Sequence, residues 1–105
     1  MNDELNPESS NLSNDMIKSI SNFENLVKLE IQDNNIDDES IEILQSLNNL
    51  EILNIHKTNI TSKAINVLKK FKSLKRAYVW GTSISKSEID DFNSRESKLK
   101  LIGGN

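Results

Sequence analysis

The 105-residue chain contains no cysteine, one proline, three glycines and one histidine, and aromatic residues make up only 5% of it. The absence of cysteine excludes disulfides and thiolate metal sites. No apolar run approaches the roughly 18 residues that a transmembrane helix needs. A single histidine and few glycines leave no nucleophile–base pair and no glycine-rich phosphate loop to assign. We therefore expect a chain without enzymatic activity, cofactor or membrane span.

The first ten residues, MNDELNPESS, are polar and acidic, and they do not read as a secretory signal peptide. A complete chain is therefore expected to stay in the cytoplasm. The net charge of -3 conceals an asymmetry, since residues 1–51 carry twelve acidic and two basic side chains and residues 52–105 carry four and eleven. Such a split can orient the molecule towards a charged partner or another copy of itself. The alternative is that surface charge drifts along the chain without consequence.

The segment NLEILNIHKTNI, residues 49–60, is repeated at an interval of 24 residues. The same apolar pattern recurs upstream at residues 26–36 and downstream at residues 74–84. The alternation of apolar and polar residues in these segments predicts a short strand. The apolar residues that follow, such as Ile65, Leu68 and Phe71, are spaced by three and predict a helix. Each unit is therefore a strand, a turn and a helix.

These units predict one α/β domain over residues 1–105, because neither the strand nor the helix can bury its apolar side alone. The predicted parts are a degenerate repeat at about 5–25, three repeats at 26–49, 50–73 and 74–97, and a short terminal strand at 98–102. The degenerate repeat places Leu5, Leu12, Ile17, Ile20 and Phe23 at core positions. Pro7 replaces a strand residue there, which suits an edge strand.

Over residues 5–102 the chain resembles the leucine-rich repeat superfamily, in its bacterial 24-residue subtype. The consensus L-x-x-L-x-L-x-x-N/C-x-L matches residues 26–36 and 50–60 and, loosely, 74–84. The resemblance implies a short, curved, right-handed solenoid with parallel strands on the concave face and helices on the convex face. It also implies that Asn34, Thr58 and Thr82 bond the turn backbone of adjacent units and form a ladder.

A narrower resemblance concerns LKRAYVWGTSIS and the later LKLIGG. These segments are similar to the C-terminal end of bacterial membrane proteins that carry a c-type cytochrome domain followed by leucine-rich repeats. The haem motif C-x-x-C-H is absent from this chain. The resemblance implies an alternative function, a structural or assembly tail of a larger membrane-associated protein, located in the periplasm or cell envelope.

The strand residues between the core positions are predicted to point out of the concave face. Trp, Tyr and Arg are enriched at binding hot spots, and three such residues follow each other in the third repeat. We therefore predict a surface that binds a protein partner, formed by Ile52, Asn54, His56, Arg76, Tyr78 and Trp80. The alternative is that Trp80 and Tyr78 fold under the last strand and cover the end of the core.

Other candidate sites have weaker support. His56 lacks the further ligands that a metal needs. Asp33, Asn35 and Asp37 are spaced like the start of a calcium loop, but the glycine and the glutamate of that motif are absent, so helix N-capping is favoured. The basic stretch at residues 69–76 makes nucleic acid conceivable, but the acidic net charge and the lack of a motif argue against it. Self-association remains open.

Overall fold

The computed structural model describes residues 3–5 and 12–103 of the chain. Strands and helices alternate along this part in the order β1 (Asp3–Leu5), α1 (Asn14–Ile20), β2 (Leu26–Glu30), α2 (Asp38–Leu44), β3 (Ile52–Asn54), α3 (Lys63–Leu68), β4 (Arg76–Tyr78), α4 (Lys86–Arg95) and β5 (Lys100–Ile102). Pro7 lies outside the described residues, and of Leu5 only the backbone is described.

The strands form one parallel sheet, in which each strand lies next to the one that follows it in the chain. From β2 to β5 every residue pairs with the residue 24 positions later, for example Leu29 with Leu53, Leu53 with Ala77 and Ala77 with Leu101. The interval in the sequence is therefore the register of the sheet. The prediction of an α/β fold with parallel strands is confirmed.

The core lies between one face of the sheet and the helices. Leu29, Leu53 and Ala77 are fully buried, together with helical residues such as Ile41 and Leu68. This follows from the two periodicities, since each strand turns every second residue inwards and each helix turns one stripe inwards. The terminal strand is shorter than predicted, because it begins at Lys100, although the preceding residue Leu99 is buried.

The first repeat follows the predicted pattern only in part. Leu12, Ile17 and Ile20 are at most 7% exposed, as predicted, but Phe23 is 50% exposed. The prediction that Phe23 is a core residue is therefore wrong. Its counterparts in the next two repeats, Leu47 and Phe71, are buried and have a neighbouring repeat on each side. Among the described residues, Phe23 has such a neighbour on one side only.

The turns after β2, β3 and β4 each contain one residue with a left-handed backbone at the same place in the repeat. These residues are Asp33, Lys57 and Gly81, with φ of 60°, 55° and 71°. For the two non-glycine residues this conformation costs roughly 1–2 kcal/mol each. A side chain at Gly81 would also meet Lys57, because a Cβ there would lie 3.0 Å from Lys57 Cγ.

The polar position near the end of each turn bonds its own turn. Asn34 donates to the carbonyl of Ile31 at 3.1 Å, and the hydroxyls of Thr58 and Thr82 donate to the carbonyl three residues upstream at 2.7 Å. The predicted ladder from these side chains to adjacent units is therefore wrong. In each case a carbonyl two or three residues upstream in the same turn already accepts the donor of the side chain.

Neighbouring repeats are instead joined next to this turn by Asp38. Its carboxylate accepts the backbone N–H of Thr61 at 2.8 Å and the hydroxyl of Thr61 at 2.5 Å. Asp37 caps α2, as the favoured N-capping interpretation predicts, and Ser85 caps α4. Each forms a capping box with the residue three positions later. Thr61 accepts the N–H of Lys63, one residue before the assigned cap of α3.

The outer edge of β5 is closed by a side chain. The amide of Asn93 donates to the carbonyl of Leu101 at 2.8 Å and accepts the N–H of Leu101 at 2.9 Å. The backbone groups of Leu101 face away from β4, because it is Lys100 and Ile102 that bond the β4 side. An edge strand whose free groups are occupied offers less for another chain to pair with.

Across the described ranges, no helix is long and apolar enough to cross a bilayer.

Candidate functional site

The sheet face opposite the core, here called the open face, is formed by alternate residues of β2 to β5 and the residues just beyond β2, β3 and β4. Its members are Lys28, Glu30, Gln32, Ile52, Asn54, His56, Arg76, Tyr78, Trp80, Lys100 and Ile102. All six residues of the predicted binding surface lie on this face. Ile52 pairs directly with Arg76, and Asn54 pairs with Tyr78.

The hydrogen-bond ladder between β3 and β4 continues past the assigned strands and sets the next row. Ile55 donates its N–H to the carbonyl of Tyr78 at 3.0 Å, and Lys57 donates to the carbonyl of Trp80 at 2.9 Å. These two bonds hold the backbone of His56 beside that of Trp80. The two side chains therefore leave the sheet on the same face, as neighbours.

The rings of His56 and Trp80 are stacked. Their centroids lie 4.0 Å apart and the planes differ by 12°. The ammonium of Lys57 lies 5.2 Å from the centre of the Trp80 ring, within the range of a cation–π contact. One aromatic residue is therefore held by a ring from the neighbouring strand and by a cation from the neighbouring turn.

Tyr78 and Trp80 are each partly buried, whereas Arg76 is exposed. The residues between them, Ala77 and Val79, are fully buried in the core. This alternation places the two aromatic side chains on the open face and not beneath the last strand. Part of each remains accessible to another molecule.

The electrostatics of His56 follow from its position. Burial lowers the pKa of His56 below its ordinary value of 6.5, Asp33 opposes this shift, Lys57 adds to it and Glu30 opposes it. Loss of solvent is the largest cause, since a charged imidazolium is stabilised by water. His56 is therefore neutral near pH 7, which suits a ring stacked on an indole beside a lysine.

Several polar atoms of this face are shielded from solvent. Asn54 donates from Nδ2 to the Glu30 carboxylate at 3.2 Å. The Oδ1 atom of Asn54 therefore points away from Glu30. Asn54 Oδ1, Gln32 Oε1 and His56 Nδ1 are buried and have no hydrogen-bond partner among the residues that the structure describes. A donor from water or from a bound partner would satisfy such atoms.

Two members of the arrangement are absent from the predicted surface. Lys57 covers Trp80, and Gly81 provides the space beside Lys57. The sequence contained a signal for the turn, because Gly81 aligns with Asp33 and Lys57 at the 24-residue interval, and glycine is the usual residue at a left-handed position. The direction of the lysine side chain had no comparable signal.

The residues of the weaker candidate sites have other roles. Asp37 caps α2, as the N-capping interpretation expects. Lys69 pairs with Glu96 at 3.7 Å and Lys75 with Glu51 at 3.4 Å, so part of the basic stretch is neutralised. Within residues 3–5 and 12–103, no three histidine or acidic side chains gather as metal ligands would.

A groove of about 460 Å³ lies between α3 and α4, where Ile65 and Phe92 are surrounded by charged side chains. The charges on its rim satisfy each other, through Lys69 with Glu96 and through the close pair of Arg95 and Asp91. The open face differs in that its cations near β4 lack such partners among the described residues. We therefore regard the open face as the better candidate.

No protein-family model matches the sequence, and no curated protein sequence matches it. Six solved chains match the fold, and one of them is the actin-binding site 2 of leiomodin-1. That chain superposes with a TM-score of 0.70 at 15% sequence identity, over 97% of this chain and 70% of its own length. At this identity the chain is similar to it in fold.

Proposed function

We propose that this chain is a non-catalytic interaction module that binds a protein partner through the open face. The observation that supports this most strongly is the aromatic pair of His56 and Trp80, held beside Tyr78 on the solvent side of the sheet. A partly accessible tryptophan and tyrosine with an exposed arginine have the composition of a binding hot spot.

We further propose that the repeats form a leucine-rich repeat solenoid, with the open face as its concave side. The sequential parallel strands and the constant 24-residue register support this proposal. The left-handed residue at one place in three successive turns supports it as well. In such an array the strand side is narrower than the helix side, because strands are about 4.8 Å apart and helices about 10 Å apart.

The fold comparison adds general support for protein binding. Leiomodin-1, whose site has a similar fold, is described as binding actin there. The proposal of a non-catalytic role rests on the composition, since the single histidine stacks on Trp80 and the chain has no cysteine.

The proposal is tested by site-specific photo-crosslinking. A photoreactive amino acid is placed at position 78, on the open face, or at position 66, where Asn66 is exposed on α3. Each chain is irradiated in an extract of the cells that express the protein. We expect one discrete adduct from position 78, none of the same mass from position 66, and loss of the adduct when excess unmodified chain competes.

The Trp80→Ala chain serves as the matched competitor. It should fail to compete while keeping the circular dichroism spectrum of the folded chain. Equal competition by the Trp80→Ala chain, or the same adduct from both positions, would contradict binding through this face.

A further inference from the structure

Three cations lie on or beside the part of the open face near the C-terminal end, and they are here called the cationic flank. Arg76 and Lys100 belong to the face, and Lys57 reaches it from the turn after β3, with its ammonium over the Trp80 ring. Arg76 and Lys100 are direct register partners on β4 and β5, and both side chains are exposed. Like charges directly opposite each other weaken a pair of strands. In the described part of the chain, the ion pairs within 4.0 Å involve other cations and leave these three without a carboxylate.

The other end of the same face is charged differently. Lys28, two strands before Arg76 in the same row, is paired with Glu4 at 3.7 Å. In the next row the carboxylate of Glu30 accepts from Asn54. At β2, therefore, the cation Lys28 is paired and the carboxylate of Glu30 is present. At β4 and β5, Arg76 and Lys100 have no carboxylate partner among the described residues.

The aromatic residues lie between the cations of the flank. Tyr78 follows Arg76 by two residues, and Trp80 follows Tyr78 by two, with Lys57 above its ring. Four residues of extended chain cover about 13 Å at roughly 3.3 Å each. A segment laid along β4 thus meets positive charge first, then the two aromatic side chains, then positive charge again.

We propose that the cationic flank binds a short acidic segment of the protein partner, an inference that rests on the proposed function of the open face. Carboxylates of that segment pair with Arg76 and Lys100 at one end and with Lys57 at the other, and an apolar side chain between them packs on Tyr78 and Trp80. A short segment fits better than a nucleic acid, because the unpaired positive charge extends only about 13 Å along β4 and the carboxylate of Glu30 lies on the same face two strands away.

The test uses fluorescence anisotropy with a labelled peptide in which aspartate and glutamate residues flank a central phenylalanine. The full chain should bind this peptide, and it should bind a peptide with lysine in place of the acidic residues far more weakly. Added salt should weaken the binding. The Arg76→Gln/Lys100→Gln chain should lose about tenfold in affinity. The matched control is Lys63→Gln/Lys70→Gln, which removes one exposed charge on α3 and one just after it and should bind as the original chain does.

Three outcomes would overturn the proposal. The first is equal loss in both double variants, which would make net charge the cause. The second is tighter binding of a single-stranded oligonucleotide of equal charge. The third is a dimer in sedimentation that the Arg76→Gln/Lys100→Gln chain cannot form, since the occupant would then be a second copy.

The same variants separate this proposal from the proposed function. If the Arg76→Gln/Lys100→Gln chain still competes for the crosslinked partner and the Trp80→Ala chain does not, the open face binds a protein but not through an acidic segment. If both chains compete fully, the proposed function itself fails.

Discussion

The imidazole of His56 lies parallel to the indole of Trp80, with 4.0 Å between the ring centroids. The two residues are 24 positions apart and become neighbours because β3 and β4 pair at that interval. Aromatic pairs of this kind contribute roughly 0.5–1.5 kcal/mol beyond the area they bury. The stack therefore links the repeat of the sequence to the best candidate for a binding site.

Acid should destabilise the chain through His56. Because burial lowers the pKa of His56 in the folded state, its contribution is complete above the ordinary value of 6.5, and it is lost as the pH falls from there through the folded-state pKa. Urea unfolding of the original chain and of His56→Gln from about pH 8 to about pH 5, where histidine titrates, measures this. We expect a steeper loss of stability in the original chain. Parallel curves would show that His56 titrates alike in the folded and unfolded states.

Asp38 should stabilise the contact between its repeat and the next one. Removing it in Asp38→Ala leaves the N–H and hydroxyl of Thr61 without their acceptor. Hydrogen bonds to charged groups are worth about 1.5–3 kcal/mol, so the free energy of unfolding should fall by an amount in that range. Glu39→Ala is the matched control, because it removes the same charge from the same helical turn. An equal loss in both variants would assign the effect to the helix dipole instead.

Asn93 should protect the end of the sheet. Asn93→Ala removes both bonds to the backbone of Leu101, and we expect a loss of about 1–3 kcal/mol in unfolding free energy. Amide hydrogen exchange at Leu101 should accelerate more than exchange at Leu53, which lies in the middle of the sheet. Asn66→Ala, at an exposed helical position, is the control. Unchanged exchange at Leu101 would mean that the side chain does not close this edge.

A side chain at Gly81 should destabilise the chain. Its φ of 71° and the 3.0 Å approach of Lys57 Cγ to an added Cβ both oppose Gly81→Ala. The left-handed backbone alone should cost an alanine at this position roughly 1–2 kcal/mol of stability. Because Trp80 is the only tryptophan, its emission should also change as Lys57 is displaced. Ser83→Ala, an exposed change in the same turn, should leave the stability and the tryptophan emission unchanged. If Ser83→Ala had the same effect as Gly81→Ala, the turn as a whole would be sensitive to substitution and Gly81 would have no special role.

The sequence predicted the features that follow from the 24-residue interval, above all the pairing of the strands. It failed for residues whose surroundings differ from those of their counterparts in other repeats. The interval of 24 residues was sufficient to place Ile52 beside Arg76 and His56 beside Trp80, because parallel strands of equal repeats pair at that interval. Phe23 was misassigned because the pattern does not show on how many sides a repeat is covered, and in the described part of the chain Phe23 has a neighbouring repeat on one side only. The bonds of Thr58 depend on the reach of its side chain, which the pattern cannot express.

The side-chain contacts on the open face were harder to predict than the residues that form it. Alternation placed Tyr78 and Trp80 on the solvent side, but their partial burial and the stack depend on side-chain rotamers. Lys57 was missed for the same reason. The resemblance to the tail of cytochrome-domain membrane proteins stays a prediction, as does the identity of the partner.

The most direct measurement is the affinity of the crosslinked partner, once purified, for Trp80→Ala and for Phe23→Ala. Both variants remove an aromatic side chain, but Phe23 is exposed outside the open face, next to α1. We predict that Trp80→Ala weakens binding about thirtyfold, which corresponds to the roughly 2 kcal/mol of a hot-spot residue, and that Phe23→Ala binds as the original chain does. Equal affinity of the original chain and a folded Trp80→Ala chain would contradict binding through the open face.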